Sequence, residues 1–302
     1  MSQAALTTIF RSFAALFFLA ISLCPNARAE TSFQPQRSAP AREESPLARG
    51  DRLYEEGRRE QARLAYEEAV QEEPGSAQAR FALGAIYREE NRLAEALEQL
   101  REAVRLEPVD ADALGLLANT AMDLGERKEA LENYALAVKL APADFGIHYN
   151  YALALTEEGR IDEAIFHYEE AVRLQPGFAE GHYNLGNAFF AKNQLDEAVR
   201  SYRAAVRENP GFAPALYNWG VSVMKRGEPE KAAELYSKAL KLRPDYAEAA
   251  YNLGFVLLDL GRRPEAVQAF ESFLQAEKGR FPEPAAEVRR KLAELRGTGN
   301  DA

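Results

Sequence analysis

The sequence predicts an all-α solenoid built from seven helical hairpins, and three observations carry that prediction. Prolines recur at Pro74, Pro108, Pro142, Pro176, Pro210 and Pro244, each 34 residues after the last. A fixed period of this size means an array of supersecondary units. With proline as position 32, the units are 43–76, 77–110, 111–144, 145–178, 179–212, 213–246 and 247–280, the last carrying Lys278 in the proline slot. Position 15 reads Gly57, Asn91, Gly125, Gly159, Asn193, Gly227 and Gly261, the residues that tolerate the left-handed conformation ending a helix. Position 20 is alanine in every unit, from Ala62 to Ala266.

Taken from its start, the chain opens with Arg11, an apolar run from Phe13 to Cys24, then Pro25 and Ala27-Arg28-Ala29. That is the layout of a secretory signal peptide over residues 1–29. The run is short for a membrane span, which needs about 20 apolar residues. Retention as an N-terminal anchor stays open. Lipidation of Cys24 is disfavoured because Leu23, not a small residue, precedes it. The expected destination is the periplasm. Residues 30–42, polar and punctuated by proline, read as a flexible linker.

Within each unit, apolar residues recur at helical spacing, as in Leu83, Ile86 and Tyr87 or Ala198, Val199 and Tyr202. The first helix is expected to stop near position 14 and the second to begin near 17. Pro229 and Pro264 fall at that second start, where a missing N–H costs nothing. The position-32 proline ends the second helix. Position 8 is always small (Gly50, Gly84, Ala118, Ala152, Gly186, Gly220, Gly254). With Ala at 20, it is expected to let the two helix backbones approach closely. A large residue at 24, such as Tyr202, fills the space beyond. Glu283–Arg296 is expected to form a final, solvating helix, with Arg289, Arg290 and Lys291 on its polar surface.

Composition narrows the function classes. The 302 residues are 47% hydrophobic with a formal charge of −10, enough apolar content to exclude general disorder. One cysteine excludes a disulfide framework and a cysteine metal site within one chain. Cleavage after Ala29 would remove that cysteine with Arg11 and Arg28, leaving a charge of −12. The acidic balance argues against sequence-independent nucleic-acid binding.

The columns small-8, aromatic-11, Ala-20, aromatic-24, Ala-27 and Pro-32 resemble the tetratricopeptide repeat. Leu185-Gly186, Phe189, Ala198, Tyr202, Ala205 and Pro210 show nearly the whole pattern in one unit. The resemblance covers 43–280 and implies a right-handed superhelix with a concave inner face. It also implies that positions 2, 5, 6, 9, 12 and 13 of the first helices line that face. There, units four to seven carry Tyr149, Tyr183, Tyr217 and Tyr251 at position 5, and Asn150, Asn184, Asn218 and Asn252 at position 6. An asparagine amide both donates and accepts, so one per repeat could hold an extended peptide of any sequence. Asn119 and Asn187, at position 9, would extend the row. The pattern is similar to the asparagine ladder in the repeats of O-linked N-acetylglucosamine transferase, here without a catalytic domain. Two readings stay open: a peptide-binding row, or a favoured Tyr-Asn dipeptide whose amides bond locally.

Positions 2, 9 and 13 also supply ten carboxylates (Glu44, Asp51, Glu55, Glu89, Asp112, Asp123, Glu157, Glu180, Glu248, Asp259) against Arg88 and Lys225. This would favour a basic partner, unless it merely reflects an acidic protein. The family's clamp for carboxylate-ended peptides needs Lys and Arg at positions 2, 5 and 6, which are missing. His148 and His182 share position 4 and His167 lies on a second helix; packing is expected of them, not metal binding. No phosphate loop or catalytic constellation stands out. The expected function is a non-catalytic, cofactor-free scaffold binding a peptide or partner protein. The alternative is an accessory subunit of an envelope-assembly or glycan-processing complex.

Overall fold

The structure, a computed structural model, describes residues 44–297; the expected signal segment and linker lie outside them. Those residues form fifteen helices, with no strand among the described residues. Unit one is α1 (Pro46–Glu55) and α2 (Arg59–Glu72); unit two, α3 (Ala77–Glu89) and α4 (Leu93–Leu106). Unit three is α5 (Ala111–Leu124) and α6 (Arg127–Leu140); unit four, α7 (Phe145–Glu157) and α8 (Ile161–Leu174). Unit five is α9 (Ala179–Ala191) and α10 (Leu195–Glu208); unit six, α11 (Ala213–Lys225) and α12 (Pro229–Leu242). Unit seven is α13 (Ala247–Asp259) and α14 (Arg263–Glu277), and α15 (Pro282–Gly297) closes the array.

The turns fall where the Gly/Asn column places them. All seven position-15 residues have positive φ, Asn91 at 60° and Asn193 at 57° included. In unit four the Gly159 N–H donates to the Thr156 carbonyl (3.1 Å) and the Arg160 N–H to the Leu155 carbonyl (2.9 Å), the Schellman pair that satisfies a helix end. Where Lys278 replaces proline, α14 runs one residue longer than the other second helices and ends on Lys278 itself, at φ 47°.

Packing assigns the columns their work. The seven position-20 alanines are fully buried between the paired helices. Position 8 is small for a second reason besides backbone approach: the ring at 24 lies across it. A Cβ on Gly220 would stand 2.6 Å from the Tyr236 ring, and one on Gly254 2.4 Å from Phe270. At Gly84 the nearest atoms are the Leu100 side chain and, at 3.3 Å, the Ala96 carbonyl oxygen, so backbone approach contributes there too.

Each helix packs on the next in sequence. In addition the backbones of α3 and α5, of α5 and α7 and of α9 and α11 come close, whereas among the described residues no pair of second helices approaches as closely, α4 and α6 meeting through the long side chains of Arg101 and Glu129. The first helices therefore form the inner, more crowded layer of the solenoid. Helix α15 buries Ala285, Val288 and Leu292 against unit seven and takes the place of a further first helix.

Candidate functional site: the inner face of the first helices

The Tyr and Asn columns meet across units. The Asn184 amide on α9 donates to the Tyr149 hydroxyl on α7 at 2.8 Å. Asn218 on α11 donates to Tyr183 at 3.2 Å, and Asn252 on α13 to Tyr217 at 3.1 Å. Each pair spans 35 residues, one period plus one. These are struts between neighbouring first helices, which neither reading of the sequence anticipates. Asn150 has no tyrosine to reach, because unit three carries Gly115 at position 5. No hydrogen bond engages its half-buried side chain among the described residues. At the other end the series changes chemistry: the Tyr251 hydroxyl donates to Glu287 on α15 at 2.7 Å.

Position 9 is drawn into the same network by the ring at 24. The Tyr202 hydroxyl donates to Asn187 Oδ1 at 2.8 Å, and Asn218 donates to that oxygen at 2.9 Å. The Tyr134 hydroxyl donates to Asn119 Oδ1 at 2.5 Å. In unit one the Tyr66 hydroxyl donates to Asp51 at 3.0 Å. Burial pushes these phenols up. Tyr168 rises to about 12, and so does Tyr251, where the Glu287 carboxylate adds to the effect of burial. All remain neutral donors at physiological pH.

A further column escaped the sequence reading. Position 34 is Ser76, Asp110 and Asp144 ahead of units two to four, and each side chain caps the helix that follows. Ahead of units five to seven it is Phe178, Phe212 and Tyr246, which cap nothing. These rings instead pack on the position-5 tyrosines. Centroids lie 4.7 Å apart for Phe178 and Tyr149, and 5.0 Å for Phe212 with Tyr183 and for Tyr246 with Tyr217. A cap is worth about 1 kcal/mol; aromatic packing of similar size replaces it and fixes each tyrosine for its strut. The signal is in the sequence: position 34 turns aromatic at unit four, where position 5 turns to tyrosine, and stays so through unit six, unit seven carrying Arg280 there.

The ten carboxylates separate into two groups. Glu44 pairs with Arg52 at 2.9 Å, and Asp123 with Arg88 at 2.6 Å. Glu89 accepts from the Tyr54 hydroxyl and lies 3.4 Å from Arg59. With Asp51 bonded to Tyr66, much of the negative charge of units one to three is internally satisfied. Glu55, Asp112, Glu157, Glu180, Glu248 and Asp259 have no ion pair or side-chain hydrogen bond among the described residues. Towards the C-terminal end, half-buried apolar side chains join the face. Val221, Met224 and Phe255 line a concavity of ≈ 370 Å³ with Asn252, Lys225 and Asp259.

The histidines sit in the packing. His148 is buried, its Nδ1 3.0 Å from Nδ1 of His167 and its Nε2 3.3 Å from the Pro142 carbonyl. His182 Nε2 lies 3.0 Å from the equivalent Pro176 carbonyl. Burial, then the neighbouring His148, lowers His167 to about 4. No group of three or more His, Cys, Asp or Glu is gathered as a metal site among the described residues, and no described helix is long and apolar enough to cross a membrane.

Models of the TPR or tetratricopeptide repeat match residues 47–114, 111–144, 152–192, 179–212, 222–261 and 248–277. Among curated proteins, none matches the chain. Similar solved structures include YrrB, a TPR protein with an unusual peptide-binding site. It is 25% identical with a TM-score of 0.57, over 61% of this chain and 95% of that one. MamA is 25% identical with a TM-score of 0.51, over 53% of this chain and 94% of that one. The C-terminal part of a TPR repeat-containing protein from Cytophaga hutchinsonii has a TM-score of 0.67 over 79% of this chain and 97% of that one. At 13% identity it shows the fold alone. The repeat architecture is that of a protein–protein interaction scaffold, and the chain belongs to the tetratricopeptide repeat family.

Proposed function

We propose that the chain is a non-catalytic scaffold that holds an extended segment of a partner protein along the inner face of units four to seven. The observation that carries this reading is the row of Tyr–Asn struts. The Asn218 and Asn252 amides spend only their nitrogens on these bonds and keep their carbonyl oxygens as acceptors, and Asn184 keeps an unused N–H and lone pair, on an inner face already held in place. Such a row meets a ligand without first having to order its own side chains, which lowers the entropic cost of binding. Asn150, with no internal partner, offers its whole amide; the free amide nitrogen of Asn119 extends the row into unit three, while Asn187 braces Asn184 and Asn218 from within it. The peptide-binding site of YrrB, on a similar repeat array, supports the same reading. The unpaired carboxylates Glu157, Glu180, Glu248 and Asp259 favour a segment carrying positive charge. The layout of residues 1–29 supports export and work in the periplasm.

The test is capture of partners from an envelope extract by the wild type and by the variant with Asn150, Asn184, Asn218 and Asn252 all changed to Ala. Loss of the captured partners, with the helical circular dichroism retained, is the expected outcome. An unchanged set would dismiss the row as a binding surface. Salt titration is the second arm: binding should weaken as ionic strength rises, and indifference to salt would remove the preference for basic segments.

A further inference from the structure

Beside the last Tyr–Asn pair the inner face holds a second, smaller hollow of ≈ 160 Å³. Tyr217, Tyr251, Phe273 and Phe281 form its walls, with Pro284 from α15 and the carboxylate of Glu248. Asn252 lies between this hollow and the larger one, lining both.

The lining is aromatic on several sides, carries one acid and holds no lysine or arginine. Phe273 is buried, while the other three rings are half-buried and present part of their surface. Tyr251 and Phe273 meet at 62° with centroids 5.3 Å apart, so their faces are not all turned onto one another. Tyr217 is fixed by the Asn252 amide and Tyr251 by Glu287, so both rings are held before any ligand arrives. Glu248 is half-buried with no cation or hydrogen-bond donor of its own among the described residues. Burial raises the Tyr217 phenol, and the nearby Glu248 charge adds a smaller push in the same direction. Arg280 lies over Phe281 at 5.2 Å, but its guanidinium donates to the Ala276 and Glu277 carbonyls and takes no part in the lining.

Ring faces carry negative potential and attract cations, most strongly when water is excluded. A lysine or arginine side chain also has an apolar stem that covers ring surface while its head reaches a carboxylate. We infer that this hollow is a receptor for one basic side chain of the bound segment, the stem lying against Tyr217, Tyr251 and Phe281 and the head on Glu248. The inference rests on the groove-binding reading and adds a fixed position to it. The two hollows share Tyr251 and Asn252 as a common wall. Neighbouring side chains of an extended segment therefore fall to the two hollows: an apolar one against Val221, Met224 and Phe255, a basic one beside Glu248.

The test uses a displayed library of random dodecapeptides selected on the full chain, followed by fluorescence anisotropy on a selected peptide. Selected peptides should share one basic position close to an apolar one. Changing that residue to Met should weaken binding about tenfold or more. Glu248→Gln should weaken the parent peptide to a similar degree, and the two changes together should cost little more than either alone. Phe281→Ala, remote from Asn184 and Asn218, should weaken the basic peptide and leave the Met peptide nearly unaffected. Peptides with no common basic position overturn the inference, as do independent effects of the peptide change and Glu248→Gln. Binding that needs Asn184 and Asn218 but ignores Glu248 overturns this inference alone. Failure to select any binder overturns it together with the groove reading.

Discussion

Two glycines inside first helices should respond to alanine in opposite directions. Gly115 lies mid-way in α5, and a Cβ there would meet only Ile147 Cγ1, at an ordinary 3.7 Å. Gly115→Ala therefore gains the helix propensity that glycine forgoes, about 0.8–1.0 kcal/mol, with no steric charge against it. Gly254 lies in α13, where the new Cβ would stand 2.4 Å from Cδ1 and Cε1 of Phe270. That ring is fully buried and packed edge-on to Phe255 at 5.0 Å, so it cannot retreat freely. Overpacking of this kind costs about 1–3 kcal/mol. Units three and four show the contact can be accommodated, since Ala118 and Ala152 stand in the same column beside Tyr134 and Tyr168. That places the cost of overpacking in the middle of the range, and after the propensity gain the net loss for Gly254→Ala is about 1 kcal/mol. Urea unfolding followed by circular dichroism at 222 nm, with both variants beside the wild type, reads the difference. Gly115→Ala should raise the midpoint and Gly254→Ala lower it. A higher midpoint for both would refute the view that position 8 is small to admit the ring at 24.

The Tyr–Asn struts predict a coupling: in a double-mutant cycle of Tyr183→Phe and Asn218→Ala, the interaction free energy should be about 0.5–1.5 kcal/mol. Asn150→Ala, which breaks no strut, should shift stability by less than about 0.5 kcal/mol; a cost equal to that of Asn218→Ala would argue against the assigned pairing. The His148–His167 contact predicts acid sensitivity. His167 is held neutral down to about 4 in the fold against 6.5 when unfolded, so below 6.5 the unfolded chain binds the extra proton. Stability should then fall as pH drops through that window, by about 1–2 kcal/mol between pH 8 and pH 5. His167→Gln should flatten this limb in denaturation midpoints measured across the range, and an unchanged slope would remove His167 as the cause. Intact-mass analysis of the chain recovered from the periplasmic fraction should show residues 1–29 missing; a full-length mass in the membrane fraction would favour the anchored alternative.

Much of the fold was legible because a solenoid writes its architecture into the period. One proline column, one Gly/Asn column and one alanine column set the turn, the helix ends and the closest packing of every unit. Contacts that join one unit to the next are harder to read. Tyr149 and Asn184 are 35 residues apart, and their columns sit side by side within a unit, so the eye pairs Tyr149 with its neighbour Asn150 instead. The offset becomes visible only when the units are stacked. Position 34 conceals its second use because serine and aspartate there cap the helix that follows, whereas the aromatic residues that replace them act on the first helix of their own unit. Helix α15 is a half-unit with no partner, so it lacks the columns that would mark it as a first helix, and its polar sequence spoke only of solvent. The inward placement of Glu287 follows from stacking on α13 and not from any local pattern. The columns give the type of each acidic residue but not its pairing, since the partners of Glu89 and Asp123 come from other helices.

The links between first helices change in kind along the array, and this has a mechanical consequence. Between α7 and α13 they are neutral hydrogen bonds from tyrosine to asparagine, short in range and indifferent to dissolved ions. Between α1 and α5 they involve charged groups, the Tyr54 hydroxyl on Glu89 and the ion pair of Arg88 with Asp123, which salt screens. Stretched along its axis, the array would behave as a spring of two grades: a stiff coil over units four to seven, and a softer one over units one to three whose compliance rises with ionic strength. The stiff coil is also the stretch that carries the Tyr–Asn row, so its spacing would hold constant while the rest of the molecule gives.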